Sequence, residues 1–229
     1  MKRMGFCLVV LVMLSHSAAS EPWVSFGAKA GLYTSNTTEI PTSWPQTSFR
    51  NGFAGGVYMD YAFNRFFSLQ PEILYVMKGL NGGIETSRIN VNYAARFDYI
   101  EIPLLAKFTV TGRSHFSPYF FAGPGVGINL AADVDIDITD LRMDESFSGS
   151  SDWSAIMNRA EFCFSFGGGC RYGIGLGGIT ADARFDFGLS NVYSGGEVTT
   201  KTDGYETTEV ILAGHSKNFG FALLVGYNF

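Results

Sequence analysis

The feature that most limits the fold of this chain is an alternation of apolar residues with polar or small ones, sustained over ten or more positions and repeated eight times. In "WVSFGAKAGLY" (23–33), Val24, Phe26, Ala28, Ala30 and Leu32 share one parity, and Ser25, Gly27, Lys29 and Gly31 the other. A period of two belongs to a β-strand, whose successive side chains point to opposite faces. Strands of about ten residues, each with one apolar row and one polar or small row, are the signature of a transmembrane β-barrel. The bilayer also dictates closure. Hydrocarbon offers no hydrogen-bond partner to an open sheet edge, so the first and last strands must pair.

The remaining segments are 52–63, 66–78, 97–109, 116–130, 159–174, 180–192 and 217–229. Connections after the second, fourth and sixth are short ("NR", "VTGRSH", "GLGG"); the others are long, at 34–51, 79–96, 131–158 and 193–216. Short turns at one end and long loops at the other are the pattern of outer-membrane barrels. The expected fold is therefore all-β, an eight-stranded antiparallel up-and-down transmembrane β-barrel with both termini periplasmic. Pro71, Pro103, Pro118 and Pro124 fall inside these segments. Each removes a ladder donor and marks a place to expect a bulge or a strand end.

Residues 1–20, "MKRMGFCLVVLVMLSHSAAS", combine a basic start, an apolar run and small residues, as in a secretory signal peptide. The barrel domain is then 21–229. Removing the leader takes away Lys2 and Arg3 and moves the formal net charge from −5 to −7. An acidic exported chain is a poor nucleic-acid binder. Charged residues make up 16% and aromatics 15%, against roughly 25% charged in soluble domains. That balance fits a surface that meets lipid. Cys163 and Cys170 lie on one segment, about 23 Å apart if it is a strand, too far for a disulfide.

The inward rows carry Lys29, Asp60, Glu72, Lys78, Glu101, Lys107, Arg171, Asp182, Arg184 and Asp186. Eight strands enclose a lumen just wide enough for side chains to fill. Mixed charges there are expected to pair into a plug; an ion path is the alternative. "GIGLGG" (173–178) fits a dinucleotide-type glycine pattern, but a strand follows it where a helix is needed. Asp133, Asp135 and Asp137 in "DVDIDITD" are weak candidates for a Ca²⁺ site on an exposed strand extension, able to bridge anionic lipopolysaccharide. His115 and His215 sit in connections with no nucleophile motif nearby. Trp44, Trp153, Tyr193 and Tyr205 lie in long connections, where exposed aromatics are candidates for binding or adhesion.

"YIEIPLLAKF" (99–108), "SPYFFAGPGVGINL" (117–130) and "ARFDFGLSNV" (183–192), with "FGAKAGLY" (26–33), resemble the PorT-type outer-membrane β-barrel family of Bacteroidota. The resemblance implies an eight-stranded outer-membrane barrel, one branch of which serves type IX secretion, and implies no catalytic residue. No cofactor is expected. The expected role is a non-enzymatic structural or interaction protein of the bacterial outer membrane, working through its extracellular loops. Alternatives are a component of secretion or envelope machinery, or a small pore. The expected partners are outer-membrane lipid and lipopolysaccharide, the outer-membrane assembly machinery and envelope proteins. Tyr227 and Phe229, on the apolar row of "FALLVGYNF" (221–229), are expected to form an aromatic assembly signal at the periplasmic interface.

Overall fold

Each alternating segment forms a strand, and the apolar rows all end up on the outside. The computed structural model describes residues 23–38, 47–110, 115–140, 142, 145–175, 177–202, 205–211 and 215–229. The leader read at 1–20 and Trp44 lie outside them. The described residues form eleven strands in one antiparallel sheet: β1 (Trp23–Thr38), β2 (Thr47–Ala62), β3 (Phe67–Glu85), β4 (Ile89–Thr109), β5 (Phe116–Asp140), β6 (Glu145–Asp152), β7 (Ala160–Ile174), β8 (Gly177–Gly188), β9 (Gly196–Thr202), β10 (Tyr205–Ile211) and β11 (Lys217–Asn228).

Eight of these make the ring, in the order β1-β2-β3-β4-β5-β7-β8-β11. β11 returns to pair with β1 from Gly27↔Asn228 to Thr38↔Lys217, so no ring strand keeps a free edge. Leu32, Phe120 and Val225 on the outer face are 72%, 65% and 62% exposed, as a lipid-facing row requires. Ala54, Leu74, Val76, Ala222 and Leu224 face inward and are buried with Tyr33, so part of the lumen is apolar.

The prolines neither end strands nor shift register. Pro103 pairs with Gly125, and pairing resumes in the same register at Ala106↔Ala122. Pro71 behaves likewise between Leu104 and the pair Leu74↔Glu101. "GIGLGG" is a hairpin turn. Gly173 ends in β7, Gly178 lies in β8, and Gly175 sits at φ +60°, a left-handed conformation that favours glycine. Consequently β8 starts at Gly177 and stops at Gly188, earlier at both ends than the expected 180–192.

The long connections differ most from expectation. β3 and β4 continue as a paired ribbon to Glu85↔Asn90, inside the expected loop 79–96. β5 changes partner along its length. It pairs with β7 over Phe116–Ile128 and with β6 over Asp133–Asp140. β9 joins β6 over three residue pairs, and β10 joins β9 as a hairpin, so β6, β9 and β10 extend the wall beyond the ring at the long-connection end.

The change of partner coincides with a bulge. Asp98 pairs with Ala131 and Tyr99 with Asn129, which leaves Leu130 as an extra residue on β5. Before it, odd-numbered residues such as Tyr119 and Phe121 face inward; after it, Ala132 and Val134 do, both fully buried. The bulge reverses the faces of the outer part of β5. That reversal turns Asp133, Asp135 and Asp137 outward, and all three are exposed.

Candidate functional site

The interior is the chemically dense part of the molecule. Lys29 Nζ on β1 donates to Glu72 Oε1 on β3 and to Asp182 Oδ2 on β8, both at 2.8 Å. Arg184 Nη1 donates to Glu72 Oε2, and its Nε to Asp186 Oδ1, each at 2.7 Å. Gln70 Nε2 adds a third donor to Glu72 at 2.6 Å. Toward the long-connection end, Lys78 Nζ lies 2.7 Å from Glu101 and 3.2 Å from Glu161. Toward the other end, Lys107 Nζ donates to Asp60 Oδ2 at 2.7 Å and to Gln70 Oε1 at 3.0 Å.

Each of the three lysines also sits over a tyrosine ring: Lys29 over Tyr58 at 4.8 Å, Lys78 over Tyr99 at 4.7 Å, and Lys107 over Tyr119 at 4.3 Å from the centroid. Ring faces carry negative potential and supplement the carboxylates. Glycines opposite make room for two lumen tyrosines. A Cβ at Gly27 would fall 2.3 Å from the Tyr58 ring, and one at Gly220 would fall 2.3 Å from Tyr33. A buried charge is tolerable when it is paired and hydrogen-bonded, and removing one member of a pair is costly.

Nine of the ten inward charges read from the sequence therefore meet an opposite charge: Lys29, Asp60, Glu72, Lys78, Glu101, Lys107, Asp182, Arg184 and Asp186. Arg171 lies outside this network, at the short-turn end, and has no ion pair among the described residues. Glu161 was the omission. Its alternation with Phe162 placed it inward, but only the structure pairs it with Lys78 and with the Asn218 amide at 3.0 Å.

Above the charged layers an apolar core closes the long-connection mouth. It comprises Leu80 of β3, Tyr93, Ala95, Phe97 and Tyr99 of β4, Ala132 and Val134 of β5, Val198 of β9, and two connecting segments that supply Trp153, Ile156, Met157, Val192 and Tyr193. Trp153 and Tyr193 are thus 4% and 2% exposed, which corrects the expectation of two exposed loop aromatics. Their partners lie on strand extensions that the sequence pattern had assigned to loops. The two segments are tied by Ser194 N–H to Ile156 O at 2.8 Å, Asn158 N–H to Val192 O at 2.8 Å, and a Met157↔Tyr193 bridge. The Ser154 N–H donates to Asp152 Oδ1 at 2.8 Å and caps the turn that carries Trp153; hydrogen bonds from Ser154 lower the Asp152 pKa. Burial pushes the Tyr193 phenol up. Tyr205 opens β10.

Asp133, Asp135 and Asp137 share one exposed face of β5, and among the described residues no three His, Cys, Asp or Glu side chains gather to hold a metal ion. His115 precedes β5 at the short-turn end and His215 precedes β11 at the opposite end. Both cysteines are free, Cys163 buried on the inward row. Tyr227 and Phe229 form an edge-to-face pair at 5.1 Å on the outer wall, and Phe229 N–H donates to Phe26 O at 2.8 Å.

Solved structures similar to this one include outer-membrane proteins. The attachment invasion locus protein Ail of Yersinia pestis is 15% identical, with a TM-score of 0.38 and coverage of 90% of this chain and 98% of that one. Neisserial surface protein A is 11% identical, with a TM-score of 0.45 and coverages of 89% and 95%. A major outer membrane protein from Thermus thermophilus is 10% identical, with a TM-score of 0.47 and coverages of 90% and 99%. No curated protein sequence matches the chain. Residues 21–194 match the family described as "Outer membrane protein beta-barrel domain". The chain belongs to that family, and its place is the bacterial outer membrane.

Proposed function

We propose that the protein is a closed, non-enzymatic barrel whose long-connection end faces outward as an interaction surface. The observation that carries this reading is the seal. A dry aromatic core covers paired charges, and β6, β9 and β10 stand above it as a continuous sheet. A pore would need a wet path where Phe97, Tyr99 and Trp153 lie fully or almost fully buried. A sheet tied to the ring by hydrogen bonds holds its surface in one shape, which lowers the entropy lost on binding. In this reading residues 1–20 are a cleaved leader, both termini face the periplasm, and Tyr227 with Phe229 presents an aromatic pair to the assembly machinery.

The test combines planar-bilayer recording with surface crosslinking. The wild type should give no conductance steps, and a photoreactive residue at exposed Ser148 should capture a reproducible partner on intact cells while one at lipid-facing Leu223 should not. Steady wild-type conductance would overturn the closed barrel. Equal capture from both positions would overturn the interaction surface.

A second reading, a PorT-like component of secretion or envelope-building machinery, draws support from the opposite end. There the ring opens into a vestibule of about 460 Å³ beside the short turns. It predicts reproducible crosslinks from Asn64 and Arg65 to periplasmic or inner-membrane proteins.

A further inference from the structure

The vestibule is lined by polar groups that the fold leaves incomplete. Among the described residues, Asp60 Oδ1, Arg171 Nε and Asn228 Oδ1 are buried atoms without a hydrogen-bond partner, and all three residues line this one cavity. Tyr58 lines it too, hydrogen-bonded to the side chains of Thr180 and Asn228. Tyr58, Thr180 and Asn228 are only 4%, 4% and 3% exposed. Buried polar atoms without protein partners cost free energy unless a water, an ion or a polar ligand completes their hydrogen bonds.

Several of these groups are held at one atom and open at another. Asp60 accepts from Lys107 through Oδ2, which leaves Oδ1 open. The Asn228 amide donates to Ser25 Oγ at 3.1 Å, which leaves its oxygen open. Their orientations are thus fixed before anything binds, as a recognition site requires.

The charges are arranged across the lumen. Asp60 is on β2 and Arg171 on β7, four strands apart whichever way the ring of eight is followed, so they occupy opposite walls. Arg171 supplies cationic donors and no acceptor; Asp60 Oδ1 and Asn228 Oδ1 supply acceptors. The cavity volume falls within the range of small-molecule sites, roughly 300–1,000 Å³.

We propose that this vestibule binds a small zwitterion the size of an amino acid or dipeptide, its carboxylate on Arg171 and its ammonium on Asp60 and Asn228, with the hydrogen-bonded Tyr58–Thr180 pair forming the polar wall between. Both free ends are needed. A lone anion leaves the acceptors open, and a lone amine leaves Arg171 open. A polypeptide C-terminus offers the carboxylate and no ammonium.

The experiment uses the mature chain in lipid nanodiscs, with arginine side chains labelled for NMR. Glycylglycine should produce a saturable shift of the Arg171 Nε–H resonance. Acetate, methylammonium and N-acetylglycylglycine should each need at least tenfold higher concentration. Asp60→Asn and Thr180→Val, checked for folding by gel mobility before and after boiling, should each weaken the response to glycylglycine by fivefold or more. The Thr180→Val arm keeps the test decisive if an Asp60 variant fails to fold. No saturable shift with glycylglycine overturns the site. Equal response to N-acetylglycylglycine or acetate overturns the zwitterion. Unchanged binding by Thr180→Val overturns the assignment of the pocket's polar wall.

Discussion

Trp153 and Tyr193 meet edge to face inside the outer mouth, ring centroids 5.8 Å apart and planes at 70°. Forty positions separate them in the chain, so the contact ties two different connections into one plug. Removing a buried tryptophan costs about 3–5 kcal/mol through lost burial and the cavity left behind. Here the loss falls on the plug, while the ring keeps its own ladder of hydrogen bonds. Trp153→Ala should therefore leave the boiled and unboiled gel bands separate but expose residues 131–158 to added protease. If proteolysis is as slow as in the wild type, Trp153 does not hold the seal.

The barrel was legible because bilayer and lumen make opposite demands on neighbouring residues, and a period of two is the result. Inward placement of Lys29 followed from its parity alone. Its partners did not, because Glu72 and Asp182 are 43 and 153 residues away and only the ring order brings them together. The strand extensions were hidden for a different reason. Past the bilayer the outside is water, so apolar Val134 belongs inside and Asp133 outside, the reverse of what the preceding parity predicts. A bulge resolves that conflict, and period-two counting carries no mark for an added residue. Trp153 and Tyr193 looked like exposed loop aromatics because nothing local to either says that the other is near.

Glu72 is the acceptor on which three donors converge: Lys29, Arg184 and Gln70. Glu72→Gln leaves Lys29 and Arg184 short of one carboxylate in a site closed to water. Breaking a buried pair in this way costs about 3–5 kcal/mol. Lys29→Met should also destabilise, because Asp182 then loses its ammonium. The double variant should fall short of the sum of the two by at least about 1 kcal/mol, since both act on one contact. Urea unfolding in lipid vesicles, followed by tryptophan fluorescence, measures this. Strict additivity would mean that Lys29 and Glu72 act independently.

Leu130 sets which way the outer half of β5 faces. Deleting it returns the strand to its earlier parity and turns Asp133, Asp135 and Asp137 toward the core now filled by Ala132 and Val134. Uncompensated carboxylates cannot be buried there without a penalty of several kcal/mol. The outer part of β5, with β6, should detach, while the Phe116–Ile128 pairing with β7 persists. Hydrogen exchange separates the two: amides of 133–140 should lose protection and those of 119–127 should keep it. Retained protection at 133–140 would show that the bulge can move to another residue.

Phe229 packs on Tyr227 at the outer wall and is 70% exposed. Its ring therefore contributes little to the folded barrel, on the order of 0.5–1.5 kcal/mol for an aromatic pair. The backbone bond from its N–H to Phe26 O survives substitution by alanine. A purely structural role predicts that Phe229→Ala lowers cellular levels no more than that small loss allows. A role in recognition by the assembly machinery predicts a several-fold drop in surface protein together with a urea midpoint close to the wild type once the variant is refolded. Surface labelling of cells and unfolding of the refolded variant, read side by side, distinguish the two. We expect the second pattern; undiminished surface levels would assign Phe229 to lipid contact alone.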